Sequence, residues 1–168
     1  MEKIISVPDE RVGFVVGKEG QVKKNIETTL HVRLEISEGT VKITGESLDV
    51  MKAVDIVKAI GLGFPKEEAF DLFRDEIQMM VLDLTDAVSE SQLRRVCGRI
   101  IGERGKTKSL LEKKLRSHII VTGDEVAAIG SASRLQIFRE VIEKIVRGAS
   151  HASAYKHLDR KLAMVEKL

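Results

Sequence analysis

The sequence contains no tryptophan and one cysteine, and aromatic residues make up 4% of its 168 residues. A single cysteine excludes an intramolecular disulfide and is typical of a reducing cytoplasm. The scarcity of aromatics argues against recognition of a ligand by a broad surface of stacked aromatic side chains. Runs of 18 or more apolar residues are also lacking, and the N-terminal MEKIISV lacks the apolar region of a signal peptide. We therefore expect no membrane span and no secretion signal.

Patterns that would indicate an enzyme are missing as well. The sequence has no paired carboxylates, nucleophile triad or metal-ligand cluster at a usable spacing, and its four histidines show no metal-ligand spacing. Gly105-Lys106-Thr107 resembles the end of a Walker A nucleotide loop, but that motif requires glycine at position 100, which is isoleucine. We predict a protein that is not an enzyme and needs no metal or cofactor.

The sequence does contain an internal repeat, centred on two glycine motifs. Gly17 and Gly20 enclose two charged residues, as do Gly102 and Gly105, and 102 − 17 gives an offset of 85 residues. The same offset, without a gap, pairs further identical residues: Gly13 with Gly98, Lys23 with Lys108, Glu27 with Glu112, Leu30 with Leu115, Gly45 with Gly130, Ile60 with Ile145, and Gly63 with Gly148. A gapless register over that span predicts two copies of one structural unit.

Hydrophobic periodicity predicts the same order of elements, β-α-α-β-β-α, in each copy. The first copy has predicted strands at 4–7, 32–36 and 41–43, predicted helices at 10–16 and 21–30, and a predicted long helix that ends at Ile60 and has Ser47 as its N-cap. The second copy has predicted strands at 79–84, 119–121 and 125–129. Its first helix is expected to be capped by Ser89 or Ser91, and its long helix to start at Ser131 or Ser133.

We accordingly expect an α+β protein in which two such domains, residues 1–63 and 79–148, pack together. A connector occupies residues 64–78, and within it Lys66–Glu76 is predicted to be a helix that covers a surface between the two units. Residues 149–168 are predicted to form an amphipathic C-terminal helix, which either packs on the body of the protein or binds a partner.

Charge is unevenly distributed, although the net charge is only +2. From Ser91 to Arg116, nine basic residues stand against two acidic ones, an excess of +7, whereas Ser6–Leu30 has four of each. The segment Phe64–Glu90 carries eight carboxylates against two basic residues. A concentrated positive field favours an anionic partner, so the second copy is the one that we predict to bind an anion.

The glycine motifs are suited to holding a phosphate. Glycine lets the backbone turn sharply and approach a bulky group, and the N–H groups at the start of the following helix point towards an anion. A strand, a helix, a G-x-x-G loop, a helix, two strands and a helix, present twice, resemble a tandem pair of type I KH domains. In that family the loop clamps the backbone of about four nucleotides of single-stranded nucleic acid, and the bases lie across an apolar groove.

This resemblance implies RNA contacts in both copies. In the second copy the expected residues are Gly102, Glu103, Arg104, Gly105, Lys106, Lys108, Arg99 and Ile101, and in the first they are Gly17, Lys18, Glu19, Gly20, Lys23 and Lys24. The expected groove floor is Ile100, Ile101 and Leu110 or Leu111 in the second copy, and Val15, Val16, Val22 and Ile26 in the first. Plain helix-capping turns are the alternative, and the repeat and the local charge argue against them.

The whole chain is similar to the archaeal and eukaryotic KH protein of small-ribosomal-subunit assembly known as the partner-of-Nob-one family. The resemblance covers nearly all 168 residues and implies a cytoplasmic protein that binds small-subunit rRNA near its 3′ end without catalysis. It implies two protein partners, the endonuclease Nob one and the alpha subunit of translation initiation factor two. Eukaryotic members usually have a degenerate first loop, and this sequence keeps both, so RNA binding by the first copy stays open. The alternative is a scaffold whose KH folds bind assembly or translation factors.

Overall fold

The computed structural model describes residues 1–167. Contacts divide the chain into two compact units, Met1–Asp75 and the residues from Glu76 onward. Each unit contains a three-stranded antiparallel sheet against which its helices pack, so the predicted α+β class is confirmed. Within residues 1–167, none of the helices has the length and apolar character needed to cross a bilayer.

The first unit follows the predicted order β-α-α-β-β-α. Its elements are β1 (Glu2–Ser6), α1 (Asp9–Val16), α2 (Gln21–Leu30), β2 (Arg33–Ser37), β3 (Thr40–Thr44), α3 (Ser47–Leu62) and a short α4 (Lys66–Ala69), which continues as a 3₁₀ turn (Phe70–Phe73). The sheet order is β1-β3-β2, so β2 is an edge strand of this sheet.

The second unit repeats this arrangement. Its elements are β4 (Ile77–Asp83), α5 (Glu90–Ile101), α6 (Lys106–Leu115), β5 (His118–Val121), β6 (Glu125–Ser131), α7 (Ala132–Val146) and α8 (His151–Glu166). The sheet order is β4-β6-β5, and β5 therefore takes the edge position that β2 has in the first unit. Ser89 and Ser131, one of the two serines predicted in each case, occupy the N-cap positions of α5 and α7, but neither side chain makes a capping hydrogen bond.

The helices that follow the glycine motifs are held by regularly spaced buried side chains. α2 buries Val22, Ile26 and Leu30, and α6 buries the residues at the three corresponding positions. Residues four apart lie on the same helix face, so this spacing fixes the side of the helix that packs on the core. Full burial of such an aliphatic side chain contributes about 1.5–3 kcal/mol. The glycine loops therefore sit on well-anchored helices.

The repeat is gapless after the glycine loops, but the second unit has an insertion before its loop. Ile5 pairs with Val41 in the first sheet, and Leu82 pairs with Val126 in the second. Val41 and Val126 are 85 residues apart, whereas Ile5 and Leu82 are 77 apart, so the second unit contains eight additional residues. They form a 3₁₀ turn (Leu84–Asp86) and lengthen α5 at its start.

The expectation of a connecting helix over Lys66–Glu76 is wrong in its length. α4 ends at Ala69, and the chain turns before β4 begins at Ile77, two residues earlier than predicted. Ala69 and Leu72 are buried, and α4 and the turn pack on α3. The Lys52 ammonium donates to the carbonyl of Phe73 at 3.0 Å. Apolar residues of the connector thus complete the core of the first unit.

The C-terminal helix packs on the second unit, which is one of the two alternatives that the sequence leaves open. The Ser150 hydroxyl accepts the backbone N–H of Ser153 at 3.1 Å and caps the start of α8. Ala154, Leu158 and Leu162 are buried among the core residues of this unit. α4 and α8 begin 85 residues apart, which is the offset of the repeat. The two helices therefore correspond, and α8 is the longer one.

Candidate nucleic-acid interface

The two glycine loops adopt the same backbone conformation. Gly17 and Gly102 have φ/ψ of 76/173° and 79/170°, and Gly20 and Gly105 have φ of 73° and 75°. In both loops the N–H of the second glycine donates to the carbonyl of the first at 3.1 Å. The repeat that the sequence predicts is therefore a repeat of loop geometry.

The first glycine of each loop is also required by a close contact. A Cβ added at Gly17 would lie 2.4 Å from Val22 Cγ2, and one added at Gly102 would lie 2.4 Å from Thr107 Oγ1. At Gly20 and Gly105 the surrounding space is open, and only the positive φ favours glycine. The first glycine of the loop therefore packs directly against the following helix, whereas the second glycine faces open space.

Backbone N–H groups at the start of α2 and α6 are available to an anion. Within residues 1–167, no side chain caps either helix at its N-terminus. The positive end of the helix dipole and the uncapped N–H groups together favour a phosphate at this point. The loop side chains Lys18, Glu19, Glu103 and Arg104 are exposed around it.

A groove runs beside the glycine loop of the first unit, between α2 and the edge strand β2. Its volume is about 680 Å³, and its walls include Val16, Lys23, Glu27 and residues 32–36. Glu27 Oε1 accepts the backbone N–H of Leu34 at 2.9 Å and lies 3.7 Å from Lys23 Nζ. The carboxylate thus occupies the strand edge that faces the groove.

The corresponding residues of the second unit make the same contacts. Glu112 Oε2 accepts the backbone N–H of Ile119 at 3.1 Å, and Glu112 Oε1 lies 3.2 Å from Lys108 Nζ. Lys23 and Lys108, which we expected to contact phosphate, are therefore paired with a glutamate one turn along the helix. Sequence reasoning aligned Glu27 with Glu112 without assigning them a role, because their strand partners are apparent only in the fold.

The expected groove floor is partly wrong. Ile100 and Leu111 are completely buried in the core of the second unit, as Val15 and Ile26 are in the first. Ile101 is 36% exposed, so it is at the surface beside the loop. Consecutive residues of a helix point about 100° apart, so only one member of an apolar pair faces the core. Leu110 and its neighbours on α6 line a different groove, against α8.

Arg99 has a structural role that the sequence does not reveal. Its guanidinium donates to the carbonyl of Ile145 at 2.7 Å and to that of Ala149, at the end of α7. In the first unit, Arg11 Nε donates to the carbonyl of Ile60, the residue that corresponds to Ile145, at 2.9 Å. In each unit an arginine thus binds the C-terminal end of the long helix, α3 or α7, although the two arginines do not correspond in the repeat. Because its guanidinium is bound to these carbonyls, Arg99 is not one of the proposed RNA contacts.

The single cysteine is a core residue, as its type predicts. Cys97 is buried on α5, and burial raises the pKa of its thiol, with the negative charge of Asp124 as the smaller cause. Its thiol therefore stays protonated and unreactive at neutral pH. The histidines of α8 also have partners within the second unit: His151 Nε2 lies 2.8 Å from the carbonyl oxygen of Arg99, and His157 Nε2 lies 3.2 Å from Glu140 Oε2.

Comparisons with known proteins place both units in one domain family. Residues 78–163 match the eukaryotic-type KH domain (KH domain of type I), and residues 2–59 match the KH domain. A KH domain-containing protein from Methanocaldococcus jannaschii is 42% identical to this chain over 172 residues, which cover 98% of this chain and 76% of that protein.

A fungal relative and a solved structure are also similar. The pre-rRNA-processing protein PNO1 from Chaetomium thermophilum is 30% identical over 142 residues, which cover 82% of this chain and 53% of that protein, so the chain spans about half its length. The crystal structure of the a/eIF2alpha–aDim2p–rRNA complex from Pyrococcus horikoshii OT3 contains a chain that is 37% identical, with a TM-score of 0.89. The match covers 97% of this chain and 94% of that chain.

Two β-α-α-β-β-α units, each with a glycine loop before its second helix, define a tandem KH protein of type I. The relatives resemble this chain over nearly its full length, through both KH units, and not over one unit alone. The chain belongs to the PNO1/Dim2 family of KH proteins, which has archaeal and eukaryotic members.

Proposed function

We propose that this chain is a single-stranded RNA-binding factor of small-ribosomal-subunit assembly, which binds small-subunit rRNA near its 3′ end and assists pre-rRNA processing in the cytoplasm. Its role is non-catalytic: it holds an RNA segment for other factors. The observation that carries the proposal is the uncapped helix N-terminus behind a G-x-x-G loop, present in both units. The rRNA in the crystal structure of the Pyrococcus relative supports it.

Each unit offers two contact surfaces for a nucleotide strand. The N–H groups at the start of α2 or α6 bind a phosphate, and Arg104 adds a positive charge to the second loop. Beside the second loop, Ile101 contacts a base, and Glu112 accepts hydrogen bonds from exocyclic amino groups of a base such as cytosine. Phosphate contacts fix the position of the strand, and base contacts select its sequence.

The proposed protein partners are the alpha subunit of translation initiation factor two and the endonuclease Nob one. The first is supported by the Pyrococcus complex, in which the similar chain is accompanied by a/eIF2alpha. The second rests on the family to which the chain belongs. An endonuclease partner would supply the cleavage chemistry, for which we assign no residues in this chain.

Titration of RNA at two salt concentrations tests the proposal. The probe is a labelled oligonucleotide with the sequence of the 3′ end of small-subunit rRNA, and the control is a scrambled strand of the same length and composition. We expect tighter binding of the first strand and steep weakening of both as salt rises, because phosphate contacts release counterions. Failure of both strands to bind at low salt would contradict RNA binding and favour the protein scaffold.

A further inference from the structure

An apolar pocket, distinct from the groove, lies behind the glycine loop of the first unit, on the side of α1 away from the groove. We propose that it binds one additional base of the RNA strand, stacked on Phe14. The inference rests on the proposed RNA-binding function, because the strand would reach the pocket across the glycine loop.

The pocket is continuous with the proposed phosphate site. It has a volume of about 750 Å³, within the range of small-ligand pockets, and Gly17 and Lys18 of the loop form part of its wall. Phe14 lines it, whereas Val16 lines the groove. Residues two apart on a helix point about 200° apart, so the pocket and the groove lie on opposite sides of α1. A strand whose backbone crosses the loop can therefore place bases on both sides.

Phe14 presents an aromatic surface for stacking. The side chain is 56% exposed, although phenylalanine is normally among the most buried residues. The guanidinium of Arg11 lies 3.9 Å from the ring centroid, and it is held by the carbonyls of Ile60 and Phe64 at 2.9 and 3.4 Å. A fixed cation thus supports one face of the ring, and a base can stack against the exposed remainder.

The charge around the pocket fits a nucleotide. Three cationic side chains line it, those of Arg11, Lys18 and Lys66, against the single carboxylate of Glu67. Lys18 and Lys66 are exposed and can reach the phosphates on either side of a stacked base. An apolar wall with a cationic rim is the combination expected for single-stranded RNA.

The second unit does not offer the same surface. The residue that corresponds to Phe14 is Arg99, whose guanidinium is bound to the end of α7. At the position of Val22 it has Thr107, whose hydroxyl lies 2.9 Å from that of Tyr155 on α8. The stacking site therefore belongs to the first unit, and base stacking adds to what its glycine loop, in a region of balanced charge, can contribute to RNA binding.

A tryptophan reporter tests the stacking directly. Because the sequence contains no tryptophan, Phe14→Trp introduces a single indole at the proposed site. The probes are a strand of about four nucleotides, the length that a KH loop and groove hold, and a strand about twice as long. We expect the longer strand to quench the indole and the shorter strand to leave it unchanged. Leu48→Trp, at an 81% exposed position on α3, is the control that neither strand should quench.

Affinity provides the second readout. It is measured in a full-length chain that carries Glu103→Asp and Arg104→Asp, so that the second loop contributes little. Phe14→Ala should weaken binding of the longer strand about 5- to 150-fold, the cost of one lost base stack, and change binding of the shorter strand less than about twofold. Phe14→Leu, which keeps an apolar side chain, should behave like Phe14→Ala, and Leu48→Ala should have no effect.

The outcomes separate this inference from the proposed function. If the unmodified chain binds neither strand, RNA binding itself is wrong. If it binds the longer strand without quenching Phe14→Trp, or if Phe14→Ala affects both strands equally, the pocket is not a base site and the inference is overturned. A protein ligand of the same pocket would give this second pattern.

Discussion

At the scale of single residues, the two glycines of a loop are required for different reasons. Gly102 has a φ/ψ that only glycine adopts readily, and an added Cβ would collide with Thr107. Gly105 has an ordinary left-handed conformation with open space around it. We predict that Gly105→Ala destabilises the second unit by about 1–2 kcal/mol, and that Gly102→Ala costs at least about 2–3 kcal/mol.

Urea unfolding of the two variants measures this difference. Gly20→Ala and Gly17→Ala form the matching pair in the first unit and should show the same order. Equal losses for Gly102→Ala and Gly105→Ala would mean that the close contact with Thr107 is relieved at no cost.

Arg104 and Lys108 should contribute unequally to phosphate binding. Arg104 is exposed on the loop, whereas the Lys108 ammonium lies 3.2 Å from Glu112. We expect Arg104→Gln to reduce the slope of log Kd against log salt by about 0.7–0.9, the value for one phosphate contact. Lys108→Gln should reduce it less, because the glutamate already balances that charge. Binding measured over a series of salt concentrations tests the order, and a larger effect at Lys108 would show that RNA breaks the Lys108–Glu112 pair.

Ile101 should affect base preference and leave the salt dependence unchanged. The side chain is 36% exposed beside the loop, and Ile101→Ala removes apolar contact without changing any charge. We predict a smaller difference between the rRNA strand and its scrambled control, with the same salt slope. Ile100→Ala is the contrasting variant: Ile100 is fully buried, so its truncation should cost about 2–5 kcal/mol of stability. Unfolding of Ile101→Ala would assign Ile101 to the core as well.

The sequence predicts the loop residues well and their partners poorly. Glycine spacing and charge are local, so the loops and the exposed Arg104 are apparent without a structure. The carbonyls that Arg99 holds are 46 and 50 residues away along the chain, and the strand N–H that Glu112 accepts belongs to another element. Such contacts depend on the packing of elements that no local pattern encodes.

At the scale of secondary-structure elements, α8 supports the second glycine loop. The Tyr155 hydroxyl on α8 lies 2.9 Å from the hydroxyl of Thr107, which is buried beside Gly102. We predict that Tyr155→Phe destabilises the second unit by about 1 kcal/mol, the usual value of one hydrogen bond. Thr107→Val places the first unit's residue type at this position and should cost a similar amount.

A double-mutant cycle separates the hydrogen bond from other effects of the two substitutions. The variant that carries both should lose less stability than the two single losses together, because the bond is lost only once. Additive losses would mean that the two hydroxyls are not coupled and that α8 supports the loop through its buried apolar residues alone.

The order of elements follows from the sequence where an element has a clear period. Strands β2 and β3 alternate between more and less buried side chains, and the helices repeat every three to four residues; α2 occupies Gln21–Leu30, as expected. The connector is harder to predict, because Ala69, Phe70 and Phe73 fit a helical period, yet the α-helix ends at Ala69 and the chain continues as a 3₁₀ turn before it enters β4. The eight-residue insertion before α5 is visible only through the strand register.

At the scale of the whole molecule, the duplicated units differ in charge and in the size of the C-terminal helix that packs on each. The second has the basic excess of +7 over Ser91–Arg116 and a 16-residue helix, α8, packed on it. The first has balanced charge over Ser6–Leu30 and only the short α4 at the equivalent place. On the proposed function, the second unit supplies most of the electrostatic affinity, and the first contributes groove and stacking contacts.

The most direct test of this account compares equal charge changes in the two loops. Glu103→Asp with Arg104→Asp, and Lys18→Asp with Glu19→Asp, each lower the net charge by two. The left-handed positions Arg104 and Glu19 both have φ of 56°, a conformation in which aspartate is enriched, so we expect both variants to fold. In binding assays with the rRNA strand at one salt concentration, the second-loop variant should lose at least about tenfold in affinity, and the first-loop variant should lose less. Unchanged affinity in the second-loop variant would contradict the assignment of this loop as the main phosphate site.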